Sequence, residues 1–345
     1  MPTAFKLETG VTSDEAPAAP ATEPSVLSVV VPFHNEEGNV AILHGRLAAV
    51  VATFASPVEF VYVDDGSTDT TGACLERLAA SDPRVVVVTL RRNFGQTAAL
   101  VAGFDLSRGD IVITLDGDLQ HAPEDIPALL AAVEAGADVA SGWRRDRASI
   151  DPWLRTVPSR VANGLIRRVS RVPLRDFGTT FKAYRREVID DLELHGELHR
   201  FIPALAAARG AVITEVPIQS LQRHSGKSHY GIGRTWGVLV DLIVLKFLLS
   251  YVGKPLRAFA AVGLPLFAVG FLVALAVTIQ FYFFTPQIGY GNLIFAALCM
   301  IMGVQFLGMG LVAELGARTY ARSGKQRPYA VRRIRGRARG SVKPT

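Results

Sequence analysis

The sequence predicts an α/β domain built on a mostly parallel sheet with flanking helices, followed by an apolar region directed at a membrane. Three observations predict it. Short β-branched runs alternate with Ala/Leu-rich helical stretches from Val26 to about Val216, the pattern of a sheet covered on both faces by helices. Several of those runs end in clusters of acidic and small polar residues. Beyond Val216 the composition turns apolar, and the 345-residue chain as a whole is 49% hydrophobic with a mean hydropathy of +0.27, higher than a purely soluble protein usually shows.

Taken in order, residues 1–25 are rich in Ala, Pro, Thr and Glu without an apolar run, so they read as a disordered leader. They lack the basic start and apolar core of a secretory signal, which leaves the following domain in the cytoplasm. That domain is read over 26–234, with strands at Leu27 to Val31, Glu59 to Val63, Val85 to Thr89 and Ile111 to Leu115. The polar clusters Pro32 to Glu37, Asp64 to Asp69 and Asp116 to Gln120 follow three of these strands. Ligands of open α/β sheets sit beyond the carboxyl ends of the strands, so the clusters are expected to converge on one pocket.

Residues 219–234 are rich in Gly, Ser, Arg, Lys and His and read as a mobile basic loop. Within the region 235–257, the stretch Thr235 to Tyr251 is apolar but carries Asp241 and Lys246, which suits a helix lying at a membrane interface. Two membrane spans are expected within 258–316, because Ala258 to Phe284 and Leu293 to Val312 hold no charged residue. Lys246, Lys254 and Arg257 precede the first span and Arg318, Arg322, Lys325 and Arg327 follow the second, so the positive-inside rule puts both flanks, and both termini, in the cytoplasm. Glu314 is expected to reach the interface or to pair with Arg318 one helical turn on. The formal charge of +6 is uneven, because the tail 317–345 is crowded with Arg and Lys. Beside an apolar segment it suits an anionic lipid surface, and no aromatic-studded basic motif points to nucleic acid. Cys74 and Cys299 stand far apart in unlike contexts and suggest packing rather than a disulfide or a thiolate metal site.

The sharpest chemical signal is Asp116-Gly117-Asp118-Leu119-Gln120, directly after an apolar run. Two carboxylates and an amide oxygen at alternate positions supply hard oxygen ligands for Mg²⁺ or Mn²⁺ and leave coordination sites for phosphate. An acidic turn capping the helix that begins near Pro123 is the alternative. Asp64 and Asp65, after the apolar strand and before Gly66-Ser67-Thr68-Asp69, are placed to accept hydrogen bonds from a nucleobase N–H and ribose hydroxyls, or to form an Asx turn.

Four motifs in order, VVVPFHNEEGNV at 29–40, EFVYVDDGSTDTT at 59–71, LRRNFGQTAAL at 90–100 and VITLDGDLQHAPEDIP at 112–127, resemble family 2 glycosyltransferases of the Rossmann-like GT-A fold. LRDFGTTFKAYRREVI at 174–189 and RHSGKSHYGIGRT at 223–235, followed by two spans, look like the branch of polyprenyl-phosphate sugar synthases related to dolichyl-phosphate mannose synthase. The resemblance implies an inverting, metal-dependent hexosyltransferase that moves sugar from a GDP- or UDP-linked donor to a polyisoprenyl phosphate at the inner membrane. It implies that Pro32, His34, Glu36, Asp64 and Asp65 contact the nucleotide, His34 standing where relatives often carry Tyr. Asp116, Asp118 and Gln120 would hold Mg²⁺ or Mn²⁺, Asp116 thereby meeting the donor diphosphate, and Arg223 and Lys227 would close over that diphosphate. Arg144, Arg155 and Ser159 are expected at the acceptor phosphate, where a guanidinium gives paired, charge-assisted bonds. Asp176 resembles the acidic position facing sugar and acceptor, as a general base or a structural group. Members of the branch can assemble through their spans, so a homo-oligomer is expected from resemblance. A processive polysaccharide synthase is the competing enzyme, but the Gln-x-x-Arg-Trp motif of such synthases is missing. A non-catalytic membrane scaffold of the same fold is the other alternative, and it would tolerate loss of Asp118.

Overall fold

Apolar runs bounded by polar turns form the strands where the pattern places them. In a computed structural model the residues described are 26–145, 164, 166–168, 170, 172–192, 194, 198–221, 246, 255–283, 290–322 and 327–336. Strands and helices alternate as β1 (Leu27–Phe33), α1 (Val40–Val51), β2 (Val58–Asp64), α2 (Thr71–Ser81), β3 (Val85–Leu90), α3 (Gln96–Leu106) and β4 (Ile111–Thr114). After a turn of 3-10 helix at Pro123–Asp125 come α4 (Ile126–Glu134) and β5 (Val139–Arg144), then β6 (Lys182–Arg185) and β7 (Ile213–Ile218). All four expected strands are present; β1 runs two residues further than its apolar pattern, and β4 stops one residue short.

Among the described residues the sheet has eight strands in the order β7-β5-β6-β4-β1-β2-β3-β8, with β8 at Val331–Arg335. Pairings of β1 with β2 and β4, of β2 with β3, and of β5 with β7 are parallel, whereas β6 and β8 run antiparallel to their neighbours. Both faces are covered. Val29, Val31, Phe60 and Tyr62 pack with Leu43 and Leu47 of α1, Leu75 of α2 and Leu129 of α4. Val30, Val61, Val63 and Val88 face Ala98, Ala102 and Phe104 of α3. Alternate side chains of one strand thus feed two cores, which is why β1 reads as a continuous apolar run. The chain leaves β1 toward β2 on one side and β4 lies on the other, so the crevice of this sheet opens at the carboxyl ends of β1 and β4.

Pro32 sits in this central strand without breaking it. Val30 faces β4, its carbonyl accepting from Leu115 N–H at 3.3 Å, so Pro32 faces the same way, where the ladder has ended at Thr114. Its missing N–H leaves nothing unpaired in the sheet.

Pro255–Phe283 and Tyr290–Arg322 are long apolar helices packed as a hairpin. Their best windows have mean hydropathy 2.5 and 2.1 with only 11% and 22% of residues buried, so they are long and apolar enough to cross a membrane and are not core helices of the α/β domain. The helices touch backbone to backbone: a Cβ on Gly303 would lie 2.8 Å from the carbonyl oxygen of Gly263, the small-residue contact that brings membrane helices together. Glu314 pairs with Arg318 at 3.0 Å, and Cys299 is buried between the helices beside Gly270.

Part of the basic tail has a different place from the one its charge suggests. Val331–Arg335 adds an antiparallel strand to β3, with Val331 and Ile334 against the α3 core. Arg333 and Arg335 each bond Glu76, at 2.7 and 2.8 Å, and Tyr329 donates to Asp105 at 2.7 Å. The strand covers the edge of β3, which would otherwise expose an unpaired row of backbone groups. The leader 1–25, the loop 222–234 and nearly all of the region 235–254 lie outside the described residues.

Candidate active site

The three acidic clusters meet at the crevice as the strand pattern predicts. After β1 the chain turns through Asn35, at φ 56, whose side-chain oxygen accepts from Thr68 N–H at 2.8 Å. His34 Nδ1–H donates to the Asp65 carbonyl at 2.9 Å, and Glu36 accepts from Asn39 at 2.5 Å. The Asn35–Thr68 and His34–Asp65 bonds lock the segment after β1 onto the segment after β2. Asp64, buried, accepts from Ser67 N–H three residues on at 2.9 Å and so caps the turn after β2.

Asp65 reaches further than the sequence suggests. Its two oxygens accept from the backbone N–H groups of Phe94 and Gly95, at 2.7 and 2.9 Å, and so hold the loop that opens α3. Gln96, the first residue of α3, then donates to Asp116 Oδ1 at 2.6 Å. A chain of bonds therefore runs from Asp65, after β2, to the Asp116-Gly117-Asp118 segment. Gly66 makes it fit: its φ is +63, and a Cβ there would lie 2.3 Å from the Arg92 carbonyl carbon. Gly66→Ala is expected to cost about 3 kcal/mol through left-handed strain and backbone overlap, read as a lower thermal midpoint of the detergent-solubilised protein.

Past β4, Leu119 adopts φ 61, a costly conformation for a branched side chain. Asp118 accepts from Gln120 N–H at 3.1 Å across this turn, and Gln120 gives its backbone carbonyl to Leu221 N–H at 2.9 Å. The turn brings Asp116, Asp118 and His121 together, with one ligand atom from each within 4.8 Å of the others. It does not cap α4, whose N-cap is Asp125, without a side-chain bond. Desolvation raises the Asp116 carboxyl, opposed by Thr180, Arg144, Lys182 and Gln96. Burial, with Arg144 adding to it, holds His121 down at about 4, so its ring is neutral at neutral pH. Two carboxylates and a neutral imidazole whose Nδ1 is buried without a partner among the described residues are a donor set that fits a divalent cation.

Opposite stands Arg144, at the end of β5. Its Nε and Nη2 donate to the two oxygens of Asp176 at 2.7 and 3.0 Å, with the side chains 16% and 5% exposed. Asp176 Oδ1 also accepts from Gly178 N–H at 3.0 Å. Asp176 thereby holds the Arg144 fork with both of its oxygens. Glu215 braces the same loop by accepting from the N–H groups of Arg175 and Asp176, at 2.6 and 3.2 Å. Lys182, fully buried where β6 begins, donates to the Thr179 carbonyl; desolvation brings its ammonium down to about 8, with Asp176 and Asp116 resisting. Arg155, Ser159, Arg223 and Lys227 lie outside the described residues.

The profile of glycosyl transferase family 2 matches residues 28–193. Dodecaprenyl-phosphate galacturonate synthase of Rhizobium johnstonii is 38% identical over 313 residues, 89% of this chain and 92% of its own length. The chain belongs to glycosyl transferase family 2. Undecaprenyl-phosphate 4-deoxy-4-formamido-L-arabinose transferase of Edwardsiella ictaluri is also 38% identical to this glycosyltransferase, over 85% of this chain and 89% of its own. Among solved structures, glucosyl-3-phosphoglycerate synthase of Mycobacterium tuberculosis in complex with uridine diphosphate superposes with a TM-score of 0.50 at 20% identity, covering 65% of this chain and 80% of its own. That likeness is one of fold, a GT-A-like mixed sheet.

The sequence reading of this glycosyltransferase missed Gln96, His121 and Lys182. Gln96 and His121 stand inside motifs already singled out, and their place in those motifs was the available signal. Lys182 also stands inside a quoted motif, between Phe181 and Ala183, but a lysine in a short strand ordinarily faces water, so its burial left no trace.

Proposed function

We propose that this glycosyltransferase moves a sugar from a GDP- or UDP-linked donor to a polyisoprenyl phosphate, with inversion, at the cytoplasmic face of the membrane. The observation that carries the reading is the extent of the likeness to the dodecaprenyl-phosphate galacturonate synthase. The family profile spans 28 to 193, or 166 residues (193 − 28 + 1), whereas that likeness spans 313. It therefore takes in the apolar hairpin as well as the sugar-transferring domain. A lipid acceptor gives the hairpin a purpose: it holds the crevice at the leaflet where the acceptor's head group lies. β8 supports the sidedness, since a strand C-terminal to the hairpin pairs with β3 of the domain N-terminal to it. Both ends of the hairpin then lie on one side of the membrane.

In this reading Pro32, His34, Glu36, Asp64 and Asp65 line the nucleotide end of the crevice, and Arg223 and Lys227 close over the diphosphate. Asp116, Asp118 and Gln120 hold Mg²⁺ or Mn²⁺, which when bound supplies Lewis-acid stabilisation to the departing diphosphate. A phosphate monoester has its second pKa near 6, so the acceptor arrives largely ionised and needs no strong base. Arg144, Arg155 and Ser159 align an acceptor oxygen behind the anomeric carbon. Asp176 fixes the Arg144 fork and accepts no proton. One C–O bond forms to the acceptor as the bond to the diphosphate breaks.

The test uses purified full-length protein, undecaprenyl or dolichyl phosphate, a panel of radiolabelled UDP- and GDP-sugars, and Mg²⁺ or Mn²⁺. One donor is expected to place label in organic-extractable lipid, one sugar per lipid, with EDTA abolishing transfer. No transfer from any donor by folded protein, or growth of a polymer, would overturn the reading.

A further inference from the structure

Buried polar groups normally find partners. His121 is 2% exposed, and its Nδ1 has no hydrogen-bond partner among the described residues. The ring is not loose. Its Nε2 lies 3.1 Å from Thr179 Oγ1, its face packs 5.6 Å from the Phe181 ring, and its backbone bridges Ser220. Thr179 Oγ1 already accepts from Phe181 N–H at 3.2 Å, so the hydroxyl is itself held in place. With Nε2–H donating to that hydroxyl, the lone pair falls on Nδ1, on a ring that has a nitrogen within 4.8 Å of carboxylate oxygens of Asp116 and Asp118. A histidine that binds a metal characteristically gives its other ring N–H to such a partner, which fixes tautomer and ring angle.

The geometry points to His121 Nδ1 as a nitrogen ligand of the divalent cation held by Asp116 and Asp118. The inference rests on the metal-dependent reading above and narrows it. Oxygen-only sites serve Mg²⁺ and Mn²⁺ alike, whereas an imidazole favours a transition metal over Mg²⁺. The site is therefore biased toward Mn²⁺. A purely packing role for His121 predicts no such bias.

The measurement is made on full-length protein in detergent with Mn²⁺ and a nucleoside diphosphate, without sugar or lipid. Electron-nuclear double resonance of the bound Mn²⁺ is expected to show nitrogen hyperfine coupling, and histidine labelled with ¹⁵N is expected to convert the pattern, a readout that needs no variant. His121→Asn is expected to abolish the coupling and to reduce the preference for Mn²⁺ over Mg²⁺, as a ratio of dissociation constants, by about tenfold. Bound Mn²⁺ without nitrogen coupling would overturn the inference and leave a carboxylate-held metal standing. Coupling that persists in His121→Asn would assign the nitrogen elsewhere and also overturn it. Absence of bound Mn²⁺ would remove both this ligand and the metal from the proposed mechanism.

Discussion

Asp118→Asn is expected to lower the rate of sugar transfer about 10³-fold, the loss that several kcal/mol of leaving-group stabilisation represents. The substitution is nearly isosteric. Asparagine keeps an oxygen for the Gln120 N–H that Asp118 now holds at 3.1 Å, so the turn through Leu119 survives and only the charge is lost. Stability is expected to hold steady or rise, because a buried carboxylate beside Asp116 is relieved of like-charge repulsion. The assay is kcat at saturating donor and metal, with the thermal midpoint measured on the same preparation. Unchanged transfer would sink the metal reading and leave an enzyme whose chemistry does not pass through Asp118. A large loss of stability with transfer intact would return Asp118 to a structural turn.

How far this was legible in the sequence follows from how local each signal is. The strands β1 to β4 came through because a two-sided buried strand must be apolar over its whole length, whatever surrounds it. The convergence of Pro32 to Glu37, Asp64 to Asp69 and Asp116 to Gln120 followed from strand direction alone. Contacts between distant residues left no such trace. Asp65 looks like a free acid in its own segment, and only the fold brings it to the N–H groups of Phe94 and Gly95. The β8 strand was hidden by its own composition: in Val-Arg-Arg-Ile-Arg the arginines dominate, while Val331 and Ile334 supply the packing. Charge was read as a membrane signal where Glu76 and Asp105 provide partners within the domain.

The pair Arg144 and Asp176 tests the mechanism rather than the identity. Arg144→Ala and Asp176→Ala are each expected to reduce kcat/KM by about 10²-fold, a loss of near 3 kcal/mol. The double variant is expected to be little worse than either single one, since each removes the same oriented guanidinium. Breaking a buried pair leaves its partner uncompensated, at about 3–5 kcal/mol of stability, so Asp176→Asn is the gentler probe and belongs in the same series. Its pH profile decides between the two roles. If Asp176 removed a proton from the acceptor, its loss would erase the acidic limb of kcat/KM. With Asp176 as the group that fixes Arg144, the limb remains near pH 6, where the acceptor phosphate takes up its proton, and only the height of the profile falls. Additive single losses together with a vanished limb would make Asp176 the base, despite the three N–H groups on its carboxylate.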